Sequence, residues 1–382
     1  MSPRTQPKSS PVLLYLVTED WYFLSHRLPM ALAAQAAGYQ VHVAVHVNGK
    51  GNGIERFGFR LHPLDWRRGS LNPLHLLSIV RQVRSLYRRI DPDLVHQVAL
   101  QPVIVGSLAA AGLSVKRVNA LAGLGYGFTS ETIKARLLRP VLSALLRWFL
   151  KNPRTMTLVQ NSDDRAAVRA LGVPDDRIAL IPGSGVDTVN LAPMPEPEGP
   201  IRVAFVGRLL DDKGVRPLIA AHEALQRDGE DIRLALAGDR DPANPASIPV
   251  DEIETWKRKA GVELLGQVAD IRDVWRNAHI AVLPSRREGL PKSLLEAAAC
   301  GRPIIATDVP GCREIARSGV NALLVPPDDP AALAQAIRTL AHDAALRRRF
   351  GEAGRQLAET VFSSARIGDA TVALYDRLLE RV

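Results

Sequence analysis

The sequence predicts an α/β protein built from two parallel-sheet domains, and three observations carry that prediction. Strand-like apolar runs alternate with helical runs along almost the whole chain, the pattern of parallel sheets covered by helices. The proline-rich stretch Ala192-Pro-Met-Pro-Glu-Pro-Glu-Gly-Pro200 interrupts the alternation near the middle and reads as a linker. At 382 residues, 46% of them hydrophobic and 23% charged, the chain has room for two cores and the composition of a folded soluble protein. The expected boundaries are a disordered tail over 1–10, a first domain over 11–190, a linker over 191–200, a second domain over 201–363 and a closing segment over 364–382.

In the first half, Val12-Leu-Leu-Tyr-Leu-Val17 reads as a buried strand. A polar turn, Thr18-Glu-Asp20, follows, then Trp21-Tyr-Phe23, a helix from about Ser25 to Ala37 ended by Gly38, and a second strand, Val41-His-Val-Ala-Val45. Ligands of doubly wound sheets bind at the carboxyl ends of strands, which places Glu19, Asp20 and His26 near a cleft; His26 reads equally as a helix-surface histidine. Residues 71–90 form a basic amphipathic helix with Arg81, Arg84, Arg88 and Arg89. Asp91-Pro-Asp93 has the form of a metal-binding pair but sits where a helix-to-strand turn is due, and the turn reading is preferred. Leu94-Val-His96 is the next strand, with His96 read as packed rather than facing a ligand.

Val118-Asn-Ala-Leu-Ala-Gly-Leu-Gly-Tyr-Gly-Phe128 runs from a strand into a loop whose alternate glycines, beginning at Gly123 beside Tyr126, let backbone approach a ligand closely. Residues 134–151 mix cations with Leu, Trp and Phe at helical spacing. Such a helix lies on an anionic bilayer or packs on a core with its basic face solvated, and both readings stand. Thr157-Leu-Val-Gln160 is a strand, capped into a helix by Asn161-Ser-Asp163.

The second half begins with the strand Ile201-Arg-Val-Ala-Phe-Val206, followed by Gly207-Arg208-Leu-Leu-Asp-Asp-Lys213-Gly214. A glycine and two cations at a strand's carboxyl end suit a diphosphate, with Arg208 offering a fork of donors and Lys213 a point charge. Arg233-Leu-Ala-Leu-Ala-Gly238 is a strand ending at Asp239-Arg-Asp241, a second acidic pair read as a polar loop rather than a metal site. Val262-Glu-Leu-Leu-Gly266 is a strand whose turn at Gly266 has room for a nucleotide base. Ile280-Ala-Val-Leu-Pro284, Pro303-Ile-Ile-Ala-Thr307 and Ala322-Leu-Leu-Val325 are further strands, and helices close the chain from about 330.

The second half is organised around Glu288-Gly-Leu-Pro-Lys-Ser-Leu-Leu-Glu296. Pro291 suits a first helical turn, so Glu288 precedes the helix and Glu296 lies about a turn and a half inside it. A helix N-terminus offers N–H groups and a positive dipole end to a phosphate. Carboxylates only accept hydrogen bonds, so those flanking it suit hydroxyl-rich partners such as a ribose and a sugar ring. The stretch reads as a sugar-nucleotide site.

Composition excludes several classes. The two cysteines give neither metal spacing nor a disulfide framework and fit a reducing compartment. No stretch approaches the roughly 20 apolar residues of a membrane span. No Gly-x-Gly-x-x-Gly follows a strand, which counts against a dinucleotide dehydrogenase. Residues 1–190 hold 23 Lys and Arg against 12 Asp and Glu, whereas the remainder is nearly balanced. The basic half suits an anionic membrane surface or an anionic substrate; nucleic acid is the weaker reading because aromatics are only 5% of the chain.

Phe205-Val-Gly-Arg-Leu with Lys213-Gly214, the nine-residue stretch from Glu288 with its E-x7-E spacing, and Cys300-Gly-Arg-Pro-Ile-Ile-Ala-Thr-Asp-Val-Pro-Gly311 together resemble glycosyltransferase family 4. The resemblance covers 201–325 closely and the first half more loosely. It implies a retaining enzyme of GT-B architecture, with two Rossmann-like domains facing a central cleft and a final helix over 364–382 crossing back to the first. Arg208 and Lys213 would then bind the donor diphosphate and stabilise it as it leaves, beside Gly207. Glu296 would hold the ribose, and Glu288 would face the donor sugar. The backbone of Gly289, Leu290, Pro291, Lys292 and Ser293 would contact sugar and phosphate. No metal or other cofactor is implied.

Two departures mark a subgroup. Many members carry a histidine where this chain has Leu121-Ala-Gly-Leu-Gly-Tyr126, and the Gly-Gly loop after the first strand is replaced by Thr18-Glu-Asp-Trp-Tyr-Phe23. These features resemble members that extend polyprenyl-diphosphate-linked saccharides in surface polysaccharide assembly. The expected protein is a peripheral enzyme on the cytosolic face of the membrane, using a nucleotide sugar, UDP-linked by expectation, and a lipid-linked or glycan acceptor. Its competitors are a GT-B sugar-nucleotide epimerase and a non-catalytic nucleotide-sugar-binding scaffold.

Overall fold

The computed structural model describes residues 10–49, 52–66, 72–121, 143–242 and 244–380. The chain divides into two compact units, Met1–Ser184 with Ala365–Val382, and Gly185–Ser364. Expectations for residues 1–9, for Gly123 and Tyr126, and for the first part of the helix over 134–151 fall outside the described residues; 143–150 are helical.

The first unit contains a seven-stranded sheet in the order β3-β2-β1-β4-β5-β6-β7. Its strands are β1 (Val12–Glu19), β2 (Gln40–His46), β3 (Arg60–Pro63), β4 (Leu94–Val98), β5 (Lys116–Leu121), β6 (Thr155–Val159) and β7 (Ile178–Leu180), and every pairing is parallel. Tyr15 and Leu13 on one face of β1 join the core beneath the helix Leu28–Ala36, while Leu14 and Leu16 on the other join the core beneath the helix Pro73–Ile90. Burial on both faces explains why β1 opens as a continuous apolar run, Val12 to Val17, rather than an alternating one.

One expected boundary is corrected. β1 runs through Thr18 and Glu19 with no turn, a helix starts at Asp20 and ends at His26, and a second helix, Leu28–Ala36, follows a break at Arg27. Pro29 sits in the first turn of the second helix, where its missing N–H is tolerated; one helix running from Ser25 would have placed it in an interior turn. Asp91 adopts a left-handed conformation after the helix Pro73–Ile90, so Asp91-Pro-Asp93 is a turn.

The closing helix, Ser364–Glu380, belongs to the first unit from Ala365 onward. It buries Ile367, Leu374, Tyr375 and Leu378 in the core that contains Tyr15 and Val43. Tyr375 shares its hydroxyl with Tyr15 at 2.9 Å and with His96 Nδ1 at 2.5 Å, so His96 is a packed residue.

The second unit contains a six-stranded parallel sheet in the order β10-β9-β8-β11-β12-β13. The strands are β8 (Ile201–Val206), β9 (Ile232–Ala237), β10 (Val262–Gly266), β11 (Ile280–Leu283), β12 (Ile304–Thr307) and β13 (Ala322–Val325). The proline-rich run packs onto this unit: Leu191 is in its core, Pro195 O accepts from Arg302, and Glu196 pairs with Arg347. The order of strands reverses between β8 and β11, the place in an open parallel sheet beyond whose carboxyl strand ends ligands bind.

Candidate functional site

Most residues assigned to a donor lie on the segments that follow β8 and β11, at that reversal in the second unit. Gly207 and Arg208 follow β8, and the next residues close a short turn ending at Gly214, whose φ of +71° begins the helix Val215–Arg227. A Cβ on Gly214 would lie 1.9 Å from the carbonyl oxygen of Pro284, just past β11, so only glycine lets the two loops touch. Gly238, after β9, meets the carbonyl of Gly207 as closely. The turn is thus clamped by backbone contact on both sides.

Side chains continue the clamp. Asp211, Asp212 and Lys213 face Arg286, Arg287 and Glu288 in matching order: Asp211 pairs with Arg286 and Asp212 with Arg287, while Lys213 Nζ lies 2.5 Å from Glu288 Oε1. Arg286 also binds Asp328 at 2.7 Å and donates its backbone N–H to Asp212 O. Hydrogen bonds from Arg286 and Arg216 hold the Asp211 carboxyl below its ordinary range against the opposing cost of burial. This charge pattern was readable in the sequence as Asp-Asp-Lys against Arg-Arg-Glu, but sequence reasoning assigned only Lys213 and Glu288.

Arg208 Nη1 donates to Asp241 Oδ2 at 2.6 Å, so the second acidic pair supplies a partner for a donor cation. Among the described residues no group of three or more His, Cys, Asp or Glu could hold a metal ion.

The helix after β11 is Lys292–Ala299, with Pro291 at its N-cap, one position earlier than a first-turn proline, and no side chain caps it. Its first N–H groups therefore offer an anion site beside Lys213 and Glu288. Glu296 lies one turn in with its side chain 12% exposed; its nearest cation is Lys292, at 3.6 Å. Burial raises the Glu296 pKa, and Lys292 offsets this only in part. Gly311 supports the loop from beneath: a Cβ there would lie 2.4 Å from Glu288 O and 2.5 Å from Gly289 O. Leu290 packs against the core, and Gly266 ends β10 at φ +61°, its carbonyl accepting from Gly238. Ser293 is the second residue of the helix.

The acceptor-side residues are arranged differently. Asp20 is fully buried and its carboxylate accepts from Asn48 N at 2.9 Å and Trp21 N at 2.7 Å; Glu19 accepts from the Asn48 side chain. These two carboxylates hold the loop after β2 in place. His26 is half-buried, stacked on Tyr22 at 4.3 Å and bonded to Ser25. Ala99, at the end of β4, carries a φ of +74° that a side chain rarely adopts, a strained position that no sequence signal marked. Both cysteines are free and buried, and burial pushes the Cys300 thiol up to about 11, so neither is a ready nucleophile.

With this geometry established, comparison with known proteins is informative. A family model described as glycosyl transferases group 1 matches residues 200–343, and one described as glycosyl transferase 4-like matches 12–161. The chain is 26% identical over 383 residues to the N,N'-diacetylbacillosaminyl-diphospho-undecaprenol alpha-1,3-N-acetylgalactosaminyltransferase of Campylobacter jejuni, covering 94% of this chain and 99% of that protein. Its fold is similar to that of sucrose-phosphate synthase from Thermosynechococcus elongatus, with a TM-score of 0.82 at 21% identity over 97% of this chain and all of the other. It is also similar to the Anabaena protein HepE in complex with UDP-glucose, with a TM-score of 0.78 at 18% identity over 96% of this chain and 99% of the other.

Proposed function

We propose, for a chain that belongs to the glycosyltransferases described by these two family models, that it transfers a sugar from a UDP-linked donor to a saccharide carried on a polyprenyl diphosphate, with retention at the anomeric carbon. The observation that carries this reading is the contact of Lys213 with Glu288 in the loop that leads into the uncapped N-terminus of the helix Lys292–Ala299, with Arg208 on the same turn as Lys213.

The transfer breaks the bond between the anomeric carbon and the donor diphosphate, so negative charge builds up on the leaving oxygen. Preorganised cations and helix N–H groups beside that oxygen lower the barrier because no solvent has to reorganise. Arg208 and Lys213 supply the charge, and the backbone from Gly289 to Ser293 supplies the amides. Glu296 accepts the ribose hydroxyls. Glu288 orients the donor sugar once the diphosphate has taken Lys213 from it. The acceptor hydroxyl attacks on the face the diphosphate leaves, giving up its proton to a diphosphate oxygen. No resident metal enters this scheme.

The Campylobacter relative acts, by its name, on an undecaprenol-diphosphate saccharide, and HepE is known with UDP-glucose, which supports the choice of acceptor and donor. The cationic surplus of the first 190 residues favours attachment to an anionic bilayer, and no described helix is long and apolar enough to cross one. We place the working position at the periphery of the cytosolic leaflet.

The test is transfer from a panel of nucleotide sugars to membrane-extracted polyprenyl-diphosphate saccharides, with the product's anomeric configuration read by NMR. A new glycosidic bond of retained configuration, abolished in Arg208→Ala and Glu288→Ala, is expected. Unchanged turnover in both variants would overturn the site.

A further inference from the structure

Arg117 stands near the start of β5, directly opposite Val95, which is in turn opposite Leu14. Partners in neighbouring parallel strands share a face, so Arg117 projects on the same side as the core formed by Leu14, Leu16 and Val95. It is 5% exposed, and its Nε has no hydrogen-bond partner. Among the described residues no carboxylate pairs with it. Its charged neighbour is a second cation, Arg154, whose main-chain carbonyl accepts the Arg117 N–H. A guanidinium stays charged under these conditions, and a buried charge without a counter-ion is costly.

The missing counter-charge has a place to sit. A cavity of about 340 Å³ is lined by Ser107, Arg117, Asn152 and Arg154, with Trp148 and Phe149 and the chain corner 110–113 completing its walls, and no carboxylate among them. Trp148 is 66% exposed. A water occupies about 30 Å³ of liquid, so the space is several times that of a single anion and takes a phosphate with a substituent attached. Two guanidiniums and the Asn152 amide suit tetrahedral phosphate oxygens, and a forked guanidinium binds them in pairs.

We propose that this cavity of the first unit binds a phosphoryl group, held by Arg117 and Arg154, and that Trp148 covers its substituent. All the residues that line this cavity belong to the first unit, and Arg208 and Lys213 to the second. The same chemistry is offered by a soluble phosphate and by the headgroup of an anionic lipid.

The full chain carrying Arg208→Ala and Lys213→Ala, in which the donor cations no longer compete, is titrated calorimetrically with inorganic phosphate and with dihexanoyl-phosphatidylglycerol below its micellar threshold. Saturable binding in at least one arm is expected, weakened about tenfold or more by Arg117→Gln or Arg154→Gln, since a charge-assisted hydrogen bond is lost. Arg154 is exposed, so its variant keeps the test decisive if Arg117→Gln fails to fold. Tighter binding of the lipid that Trp148→Ala removes assigns the headgroup; equal binding in both arms assigns soluble phosphate. No saturable binding in either arm at millimolar concentration, or binding that both arginine variants leave unchanged, overturns the site. Transfer activity plays no part in this readout, so its failure leaves the donor site untouched.

Discussion

Lys213 Nζ stands 2.5 Å from Glu288 Oε1, so the cation assigned to the donor diphosphate is already neutralised by the carboxylate assigned to the donor sugar. The pair is the innermost of three in-register contacts that tie the turn after β8 to the loop after β11, the others being Asp211 with Arg286 and Asp212 with Arg287. A site prepared for a diphosphate would otherwise hold an uncompensated cation in a largely buried place. Arg208 is arranged alike, with Asp241 as its internal partner. On the proposed function, donor entry would exchange counter-ions, with phosphate oxygens replacing the carboxylates and leaving Glu288 available to the sugar.

The exchange separates charge from position. Lys213→Ala should lower kcat by about 10²–10³, the cost of removing one preorganised donor from developing oxyanion charge. It should also destabilise the chain by roughly 1–3 kcal/mol, because Glu288, with 9% of its side chain exposed, loses its partner. The swapped pair Lys213→Glu with Glu288→Lys should recover much of the melting temperature and none of the rate, as read by nucleoside diphosphate release. Full turnover in the swapped variant would show that Lys213 does not act on the leaving group.

Glu296 makes stability depend on pH in a direction opposite to most carboxylates. Its pKa is raised by burial above the ordinary value of 4.5, so the folded chain holds the proton more tightly than the unfolded one. That contribution is fully present below about pH 4.5 and is lost as pH rises through the folded value. Glu296→Gln should therefore melt higher than the native chain at neutral pH, with the difference vanishing near pH 4. On the proposed function the same variant should raise the KM for the donor about tenfold or more, since the ribose would lose a carboxylate acceptor. Equal melting temperatures at pH 7 would remove the burial argument.

The closing helix is fastened by a hydroxyl that two residues share. Tyr375→Phe leaves Tyr15 and the buried His96 Nδ1 without their common partner, a loss of about 1–3 kcal/mol for buried polar groups. Tyr15→Phe keeps the Tyr375–His96 bond and should cost less. Deleting 365–382 exposes the core around Tyr15 and Val43 and should leave the first unit unfolded while the second keeps its sheet. Circular dichroism and limited proteolysis distinguish these outcomes; a truncated chain with a protease-resistant first unit would show that the helix is not needed.

The parallel α/β class was legible because strands buried on both faces appear as uninterrupted runs, as in Leu13 to Val17 and Val203 to Val206. Local chemistry also reached the turn at Asp91, the cap at Asn161 and the packing of His96. What escaped depends on contacts between distant segments. The pairing of Asp211 and Asp212 with Arg286 and Arg287 spans 75 residues and exists because β8 lies next to β11 in the sheet. The break at Arg27 was hidden because Leu24 and Leu28 keep a helical spacing across it, although Pro29 marks it. Burial of Asp20 was equally invisible, since a carboxylate at a strand end suits a ligand or a loop amide, and here Asn48 is the partner.

Gly311 gives the sharpest test of backbone positioning, because its side chain is absent for a reason that distance makes plain. A Cβ there would fall 2.4 Å from Glu288 O and 2.5 Å from Gly289 O, well inside contact, and the obstructing atoms are backbone. Gly311→Ala must therefore push the Glu288–Gly289 segment away from position 311, moving the Lys213–Glu288 pair and the first amides of the helix Lys292–Ala299. A displacement of about 1 Å at positioning groups lowers transfer about 10²-fold. Gly354→Ala is the control: it lies inside the helix Ala344–Thr360, its Cβ would meet Ala298 at an ordinary 3.6 Å, and alanine favours a helix over glycine by roughly 0.5–1 kcal/mol. The control should keep full transfer and melt slightly higher. Transfer by Gly311→Ala at the native rate would mean that the Glu288 loop tolerates displacement and that catalysis does not depend on its placement.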